Sequence, residues 1–113
     1  MRAWVGVLLA VLLLPLRAAS LETSPADIIS SPDRFDGTVV TLNGTVSGLK
    51  PRVSRRGNAY YTFTLQGLTV FSFGAPPCPE GAAVKIAGTF RKLKHQGSYT
   101  FRNQVDADSV VCR

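Results

Sequence analysis

The sequence predicts a small all-β domain of five strands, preceded by one short helix. Two observations predict this class. From Val39 onward, apolar residues mostly recur at every second position, which is the period of a half-buried strand. Clusters of glycine, proline and asparagine separate these segments at short intervals, which is typical of turns between strands. The signals for a helix start all lie before Gly37, so the helix is expected only at the N-terminal end.

The first twenty residues predict a secretory signal peptide. Met1-Arg2 gives a positive start, residues 4–16 are almost entirely apolar, and Ala18-Ala19-Ser20 offers small residues for cleavage. The apolar run is too short to span a bilayer, which needs roughly 20 apolar residues. We therefore expect residues 1–20 to be removed. Residues 21–113 should form one exported domain, periplasmic or secreted, without a transmembrane segment.

Length and charge limit what this domain can do. Residues 21–113 can bury a single core, so a deep active site with a cofactor domain is not expected. Without Arg2 and Arg17, eleven basic residues remain against seven acidic ones, a net charge of about +4. Such a balance favours anionic partners, although a charge of this size also serves solubility alone. We expect a monomer.

The predicted helix and first strand follow from local signals. Residues 24–27, Ser-Pro-Ala-Asp, place a hydroxyl at the N-cap, proline in the first turn and an acid three residues after the cap. Pro32 either ends this helix or starts a second turn. The first strand is predicted over residues 39–46, where one face carries Val40, Leu42, Gly44 and Val46.

The remaining strands are predicted from composition and alternation. Residues 59–65 and 68–73 are rich in aromatic and β-branched residues, and the tight turn Gln66-Gly67 joins them as a hairpin. The fourth strand is predicted over residues 83–90, and the fifth from residue 98 to Cys112. We expect a core that contains Val40, Leu42, Val46, Leu65, Val84, Ile86 and Phe90.

Residues 28–37 read Ile-Ile-Ser-Ser-Pro-Asp-Arg-Phe-Asp-Gly and lead directly into the first strand. This lead-in resembles that of exported bacterial proteins with the OB-fold (oligonucleotide/oligosaccharide-binding fold). The resemblance covers residues 27–108 and implies a five-stranded Greek-key β-barrel, in which Gly44 and Gly88 let the first and fourth strands bend. Many OB-folds place a helix between strands three and four. Residues 74–81 hold three prolines and cannot supply it, so the N-terminal helix is expected to cover that end of the barrel.

Cys78 and Cys112 are the only cysteines. In an exported chain such a pair is expected to be bridged rather than free. The OB-fold resemblance implies that strands three and five are parallel neighbours, which would bring the two cysteines within bridging distance. A shared metal site is a weaker interpretation, because the chain has no CxxC motif and its single histidine, His95, is far from both cysteines.

The candidate binding residues cluster in two predicted basic loops, residues 48–58 and 91–97. In OB-folds such loops flank the face that binds oligonucleotides and oligosaccharides. Tyr60 lies on the strand between them, and its ring could stack on a base or a sugar if Tyr61 and its same-face neighbours are core. The predicted ligand-binding residues are Lys50, Arg52, Arg55, Arg56, Tyr60, Arg91, Lys92 and Lys94.

Two function classes follow from these residues. The first is a binding module for an anionic polymer, either single-stranded nucleic acid or an acidic glycan. The second is an envelope protein that binds another protein through strand edges or the barrel surface. Rings exposed between the basic loops favour the first class, and the candidates are Tyr60, Tyr61, Phe71 and Phe73. Apolar residues exposed on strands two and three favour the second.

A plainer interpretation also accounts for these residues. Aromatic residues fill the core of a small barrel, and solvated hairpin tips commonly carry lysine and arginine. Catalysis has little support. Asp106 and Asp108 lie two apart and could form a carboxylate pair, but a solvated strand face is the more common outcome. We expect neither an enzyme nor a bound cofactor or metal.

Overall fold

The structure is a computed structural model that describes residues 20–113, so the predicted signal peptide lies outside the described residues except for Ser20. The all-β prediction is confirmed, because strands dominate and only two short helices occur among these residues. The elements in chain order are β1 (Leu21–Glu22), α1 (Pro25–Ser30), α2 (Pro32–Phe35), β2 (Val39–Thr45), β3 (Ser47–Val53), β4 (Ala59–Leu65), β5 (Leu68–Phe73), β6 (Ala83–Gln96) and β7 (Tyr99–Cys112).

The seven strands form one sheet in the order β1-β2-β6-β7-β5-β4-β3. Two pairs of neighbours are parallel, β1 with β2 and β5 with β7. All other neighbours are antiparallel. The parallel pairing of β5 and β7 aligns Val70 with Val105, which is the adjacency that the OB-fold resemblance implied for strands three and five.

The predicted number of five strands is corrected to seven. The first predicted strand and much of the first basic loop form β2 and β3, which only Val46 separates. The second predicted loop is also mostly strand, because β6 and β7 pair from the Gln96–Tyr99 end of their hairpin onward. Basic composition suggested loops in both places. Backbone groups of these residues are instead paired within the sheet, while many of their long side chains reach solvent.

The helical segment follows one of the two outcomes predicted for Pro32, which starts a further helical turn. The Ser24 Oγ accepts a hydrogen bond from the Asp27 N–H at 3.2 Å, as expected for an N-cap. Ser31 interrupts the helix, and Pro32 begins α2. Ile28 and Phe35 insert into the core from the two helices and fix the segment to the sheet.

The predicted core is confirmed. Its seven residues Val40, Leu42, Val46, Leu65, Val84, Ile86 and Phe90 are each at most 1% exposed. Gly44 faces this core, where a Cβ atom added to it would lie 2.6 Å from the Leu65 Cδ1 atom. Gly88 lies against the backbone of β7 at a register irregularity between β6 and β7.

The predicted Cys78–Cys112 disulfide is present. Its Cα atoms are 5.6 Å apart, within the range that a disulfide requires. Cys78 is buried in the loop after β5, and Cys112 is the last residue of β7. The bond therefore holds the proline-containing loop against the C-terminal end of the chain. Among residues 20–113, no helix has the length and apolar character needed to cross a membrane.

Candidate binding groove

An open groove with a volume of about 1030 Å³ lies between strands β3 to β5 and the hairpin of β6 and β7. We call it the groove. Its lining combines aromatic rings, cationic side chains and polar acceptors. The lining residues are Lys50, Arg52, Ser54, Asn58, Tyr60, Thr62, Thr69, Phe71, Phe73, Lys94, Gln96, Tyr99, Phe101, Gln104, Asp106, Ala107 and Asp108.

Aromatic rings line the groove from both sides. On the β4–β5 side, the Phe71 ring centroid is 5.4 Å from that of Tyr60 and 5.1 Å from that of Phe73. On the hairpin side, the rings of Tyr99 and Phe101 are 6.4 Å apart. Phe73 is 76% exposed and Tyr99 is 70% exposed, so neither ring is needed to fill the core. These exposed rings offer flat apolar surfaces to a ligand in the groove.

Strand parity explains which rings face the groove. On β4, Tyr61 and Phe63 are buried in the core, which leaves the alternate residue Tyr60 on the groove side, as the sequence predicted. On β5, Val70 is buried, and the same alternation places Phe71 on the groove side. Phe71 and Phe73 were not among the eight predicted binding residues, although applying the parity argument to β5 would have included them.

The hairpin rings were missed for a different reason. Tyr99 and Phe101 follow the turn at Gly97, where the sequence predicted only the end of a basic loop and the start of a strand. The long hairpin brings them over the groove through pairs such as Gln96 with Tyr99. No local pattern indicates that this hairpin faces β5, so only the folded chain identifies these rings as part of a site.

The structure brings four of the eight predicted binding residues into the groove. Lys50 and Arg52 come from β3, Tyr60 from β4 and Lys94 from β6. These are strand residues, whereas the sequence placed the three cations in loops. The other four predicted residues, Arg55, Arg56, Arg91 and Lys92, do not line the groove.

Lys92 is directed toward the helical segment. Its Nζ lies 2.5 Å from Asp33 Oδ1 of α2, and its backbone N–H donates to Asp36 Oδ1 at 2.9 Å. Arg55 and Arg56 are exposed in the turn between β3 and β4. Lys92, Arg55 and Arg56 therefore add no charge to the lining of the groove.

A polar network lies beside the Phe71 ring. The Lys94 Nζ is 4.9 Å from the centroid of that ring and donates to Asp106 Oδ1 at 3.0 Å. The Gln104 Nε2 donates to the same Asp106 oxygen at 2.8 Å, and Gln104 is only 3% exposed. Asp106 therefore compensates the charge of Lys94, and Lys50 and Arg52 supply the groove's remaining positive charge.

The described residues, 20–113, contain no group of three or more His, Cys, Asp and Glu side chains that could hold a metal ion. His95 lies on the hairpin, where its Nδ1 is 3.1 Å from the Thr100 Oγ1. Asp106 and Asp108 both line the groove, but the partners of Asp106 are an amine and an amide rather than a second carboxylate.

No protein-family model, curated protein or solved structure matches this chain. The chemistry of the groove is therefore the basis on which a function is assigned.

Proposed function

We propose that this chain is an exported binding module that holds an anionic polymer, a single-stranded nucleic acid or an acidic glycan, in the groove. The observation that carries the proposal is the lining itself, in which five aromatic rings lie together with Lys50 and Arg52. Rings stack on bases or on the flat faces of sugars, and the two cations attract phosphate, carboxylate or sulfate groups.

The proposal includes an OB-fold barrel as the scaffold. Although β2 and β3 are far apart in the sheet order, they are joined through the single residue Val46. If they are two halves of one bent strand, the sheet closes on itself and counts five strands besides the two-residue β1. The close approach of Gly44 on β2 to Leu65 on β4 supports closure, because these strands are not neighbours in the sheet.

The compartment that we propose is the periplasm or the extracellular space. The disulfide supports it, because such bonds persist in oxidising compartments. The signal-peptide pattern of residues 1–20 supports it independently.

We favour a polymer ligand over a partner protein because of where the exposed apolar groups lie. The aromatic rings are gathered in a groove beside cations, which suits a narrow polymer better than a broad protein surface. Large aliphatic residues that are exposed elsewhere, such as Val53, Leu93 and Val111, are on three different strands and do not line the groove.

Titration of the mature protein with single-stranded DNA, heparin fragments and anionic vesicles at two salt concentrations tests the proposal. Replacing both Lys50 and Arg52 with alanine should weaken polymer binding and flatten its salt dependence. Two phosphate contacts on a single strand give a slope of about −1.4 in log affinity against log salt, and the double variant should lose most of it.

The matched control replaces Arg55 and Arg56 with alanine. This variant loses the same charge from the neighbouring turn but leaves the groove lining unchanged. It should bind nearly as well as the wild type. Equal losses from both double variants would show general charge attraction and contradict a dedicated groove. Absence of binding to all three probes at low salt would contradict the proposed function.

The contribution of stacking is tested by Phe73→Ala. The side chain is 76% exposed, so its removal should not affect folding. Loss of one stacking ring costs about 1–3 kcal/mol in binding. If Phe73→Ala binds as tightly as the wild type while the double variant of Lys50 and Arg52 is impaired, the Phe73 ring does not stack on the ligand. Charge then accounts for the binding that was measured.

A further inference from the structure

The lining of the groove includes negative charge, which a simple polyanion site would not need. Asp106 lies beside the Phe71 ring and accepts hydrogen bonds from Lys94 and Gln104. Both donors reach the same oxygen, Oδ1. The side chain is 29% exposed. No group of residues 20–113 donates to the second oxygen, Oδ2, which can therefore accept a hydrogen bond from a molecule in the groove.

The network holds this acceptor in place. Gln104 is almost completely buried, and its Nε2 bonds to Asp106 at 2.8 Å from a position two residues earlier on β7. Lys94 approaches the same carboxylate from β6. A carboxylate fixed by two donors offers its other oxygen in a defined direction, so it can select a ligand rather than merely tolerate one.

The ligand group that fits Asp106 is a hydrogen-bond donor carried by a flat ring. Exocyclic amino groups of cytosine, adenine and guanine are such donors. Thymine has only a ring N–H, which lies between two carbonyl oxygens that would repel the carboxylate. A base stacked at Phe71 therefore gains a hydrogen bond to Asp106 if it bears an amino group.

We propose that the groove binds single-stranded nucleic acid and that Asp106 selects bases bearing an exocyclic amino group over thymine. This inference rests on the proposed function and narrows its ligand class. In a nucleotide, the sugar separates the base from the charged phosphate. The base can then stack beside Asp106 while the phosphates lie toward Lys50 and Arg52. An acidic sugar carries its charge on the stacking ring itself, which would place that charge next to the carboxylate.

Fluorescence anisotropy with labelled oligo(dC) and oligo(dT) of about twelve nucleotides, within the usual site size, tests the selection. Both are pyrimidine strands of equal charge. The mature wild-type protein should bind oligo(dC) about ten-fold more tightly, in line with one added hydrogen bond to a charged acceptor.

The variant Asp106→Asn should change the two affinities in different ways. It frees the charge of Lys94, so oligo(dT) should bind more tightly than it does to the wild type. For oligo(dC) that gain is offset by loss of the charged acceptor, and the ratio of affinities should fall to near one. The control is Asp108→Asn, which removes the same charge from another lining residue. It should strengthen binding of both strands alike and leave the ratio unchanged.

The possible failures are distinguishable. Equal wild-type affinities for oligo(dC) and oligo(dT) would overturn the selection but leave the proposed binding module in place. The same holds if Asp106→Asn keeps the ten-fold ratio. Binding of heparin fragments without binding of either DNA would overturn the nucleic-acid assignment in favour of a glycan. Failure to bind DNA, heparin or vesicles would overturn the proposed function together with the inference.

Discussion

Gly88→Ala should be among the most damaging single-methyl additions in this fold. Gly88 lies in β6, opposite Val40 of β2 and Ala107 of β7, at the bulge between the two long hairpin strands. A Cβ atom on Gly88 would lie 2.6 Å from the Ala107 Cα and 2.8 Å from the Asp106 carbonyl carbon. It would also overlap the backbone carbonyl oxygen of Asp106. All three atoms belong to the backbone, which cannot move aside as a side chain can.

The magnitude follows from the size of this overlap. Carbon atoms that are not bonded prefer separations of about 3.5–4.0 Å, so β7 would have to move by about 1 Å. Overpacking of a well-ordered site costs about 1–3 kcal/mol, and weakening one or two backbone hydrogen bonds adds about 1 kcal/mol. We expect a total loss of about 2–4 kcal/mol, a large share of the 5–15 kcal/mol that is typical of a domain.

Urea denaturation of the oxidised protein, followed by far-UV circular dichroism, measures this loss. Gly97→Ala is the control, because an added Cβ at the hairpin turn meets no atom within 4 Å and costs only the strain of a φ angle of +61°. That strain is about 1 kcal/mol. If Gly88→Ala destabilises the protein no more than Gly97→Ala does, the backbone contact between β6 and β7 is not as close as described.

Two further predictions concern stability. Reducing the Cys78–Cys112 disulfide should lower the free energy of unfolding by about 4 kcal/mol, because its partners are 34 residues apart and the open chain gains entropy. Equal urea midpoints with and without dithiothreitol would contradict this. Gln66→Asn should raise stability by about 0.5 kcal/mol, because Gln66 and Gly67 have φ angles of +47° and +94° and asparagine tolerates the first better. A lower melting temperature for Gln66→Asn would show that the glutamine makes a contact that outweighs this strain.

The core could be predicted because it depends on a local periodicity. In the first half of β6, buried residues recur at every second position, and the pattern is visible without knowledge of neighbouring strands. In β2, the buried Val40 and Leu42 keep this spacing, although Thr41 between them is buried as well. Gly44 and Gly88 also stand out in the sequence, since they interrupt otherwise apolar faces, and a Cβ atom on either would meet another strand. The disulfide followed from the cysteine count together with the parallel neighbours implied by the resemblance.

The strand boundaries were harder to predict because charge and proline mask pairing. Ser47–Val53 contains glycine, lysine, proline and arginine, which is typical of a loop, yet it pairs with β4 at an end of the sheet order. Proline is tolerated at such a position because an edge strand has backbone groups that need no partner. In the part of the β6–β7 hairpin near its turn, residues 91–96 and 99–103 are all exposed or half-buried. No buried face therefore indicates a strand there.

The candidate site was only half predictable because its charges are partly compensated by distant residues. Lys92 reaches Asp33 in the helical segment, and Lys94 reaches Asp106 on the next strand. Counting cations along the sequence therefore overstates the positive charge that a ligand meets. What the groove offers instead is a set of rings beside two carboxylates, of which Asp106 is held by Lys94 and Gln104, with positive charge mainly on β3. On the proposed function, stacking and hydrogen bonding set which polymer is preferred, and the cations of β3 add affinity that falls as the salt concentration rises.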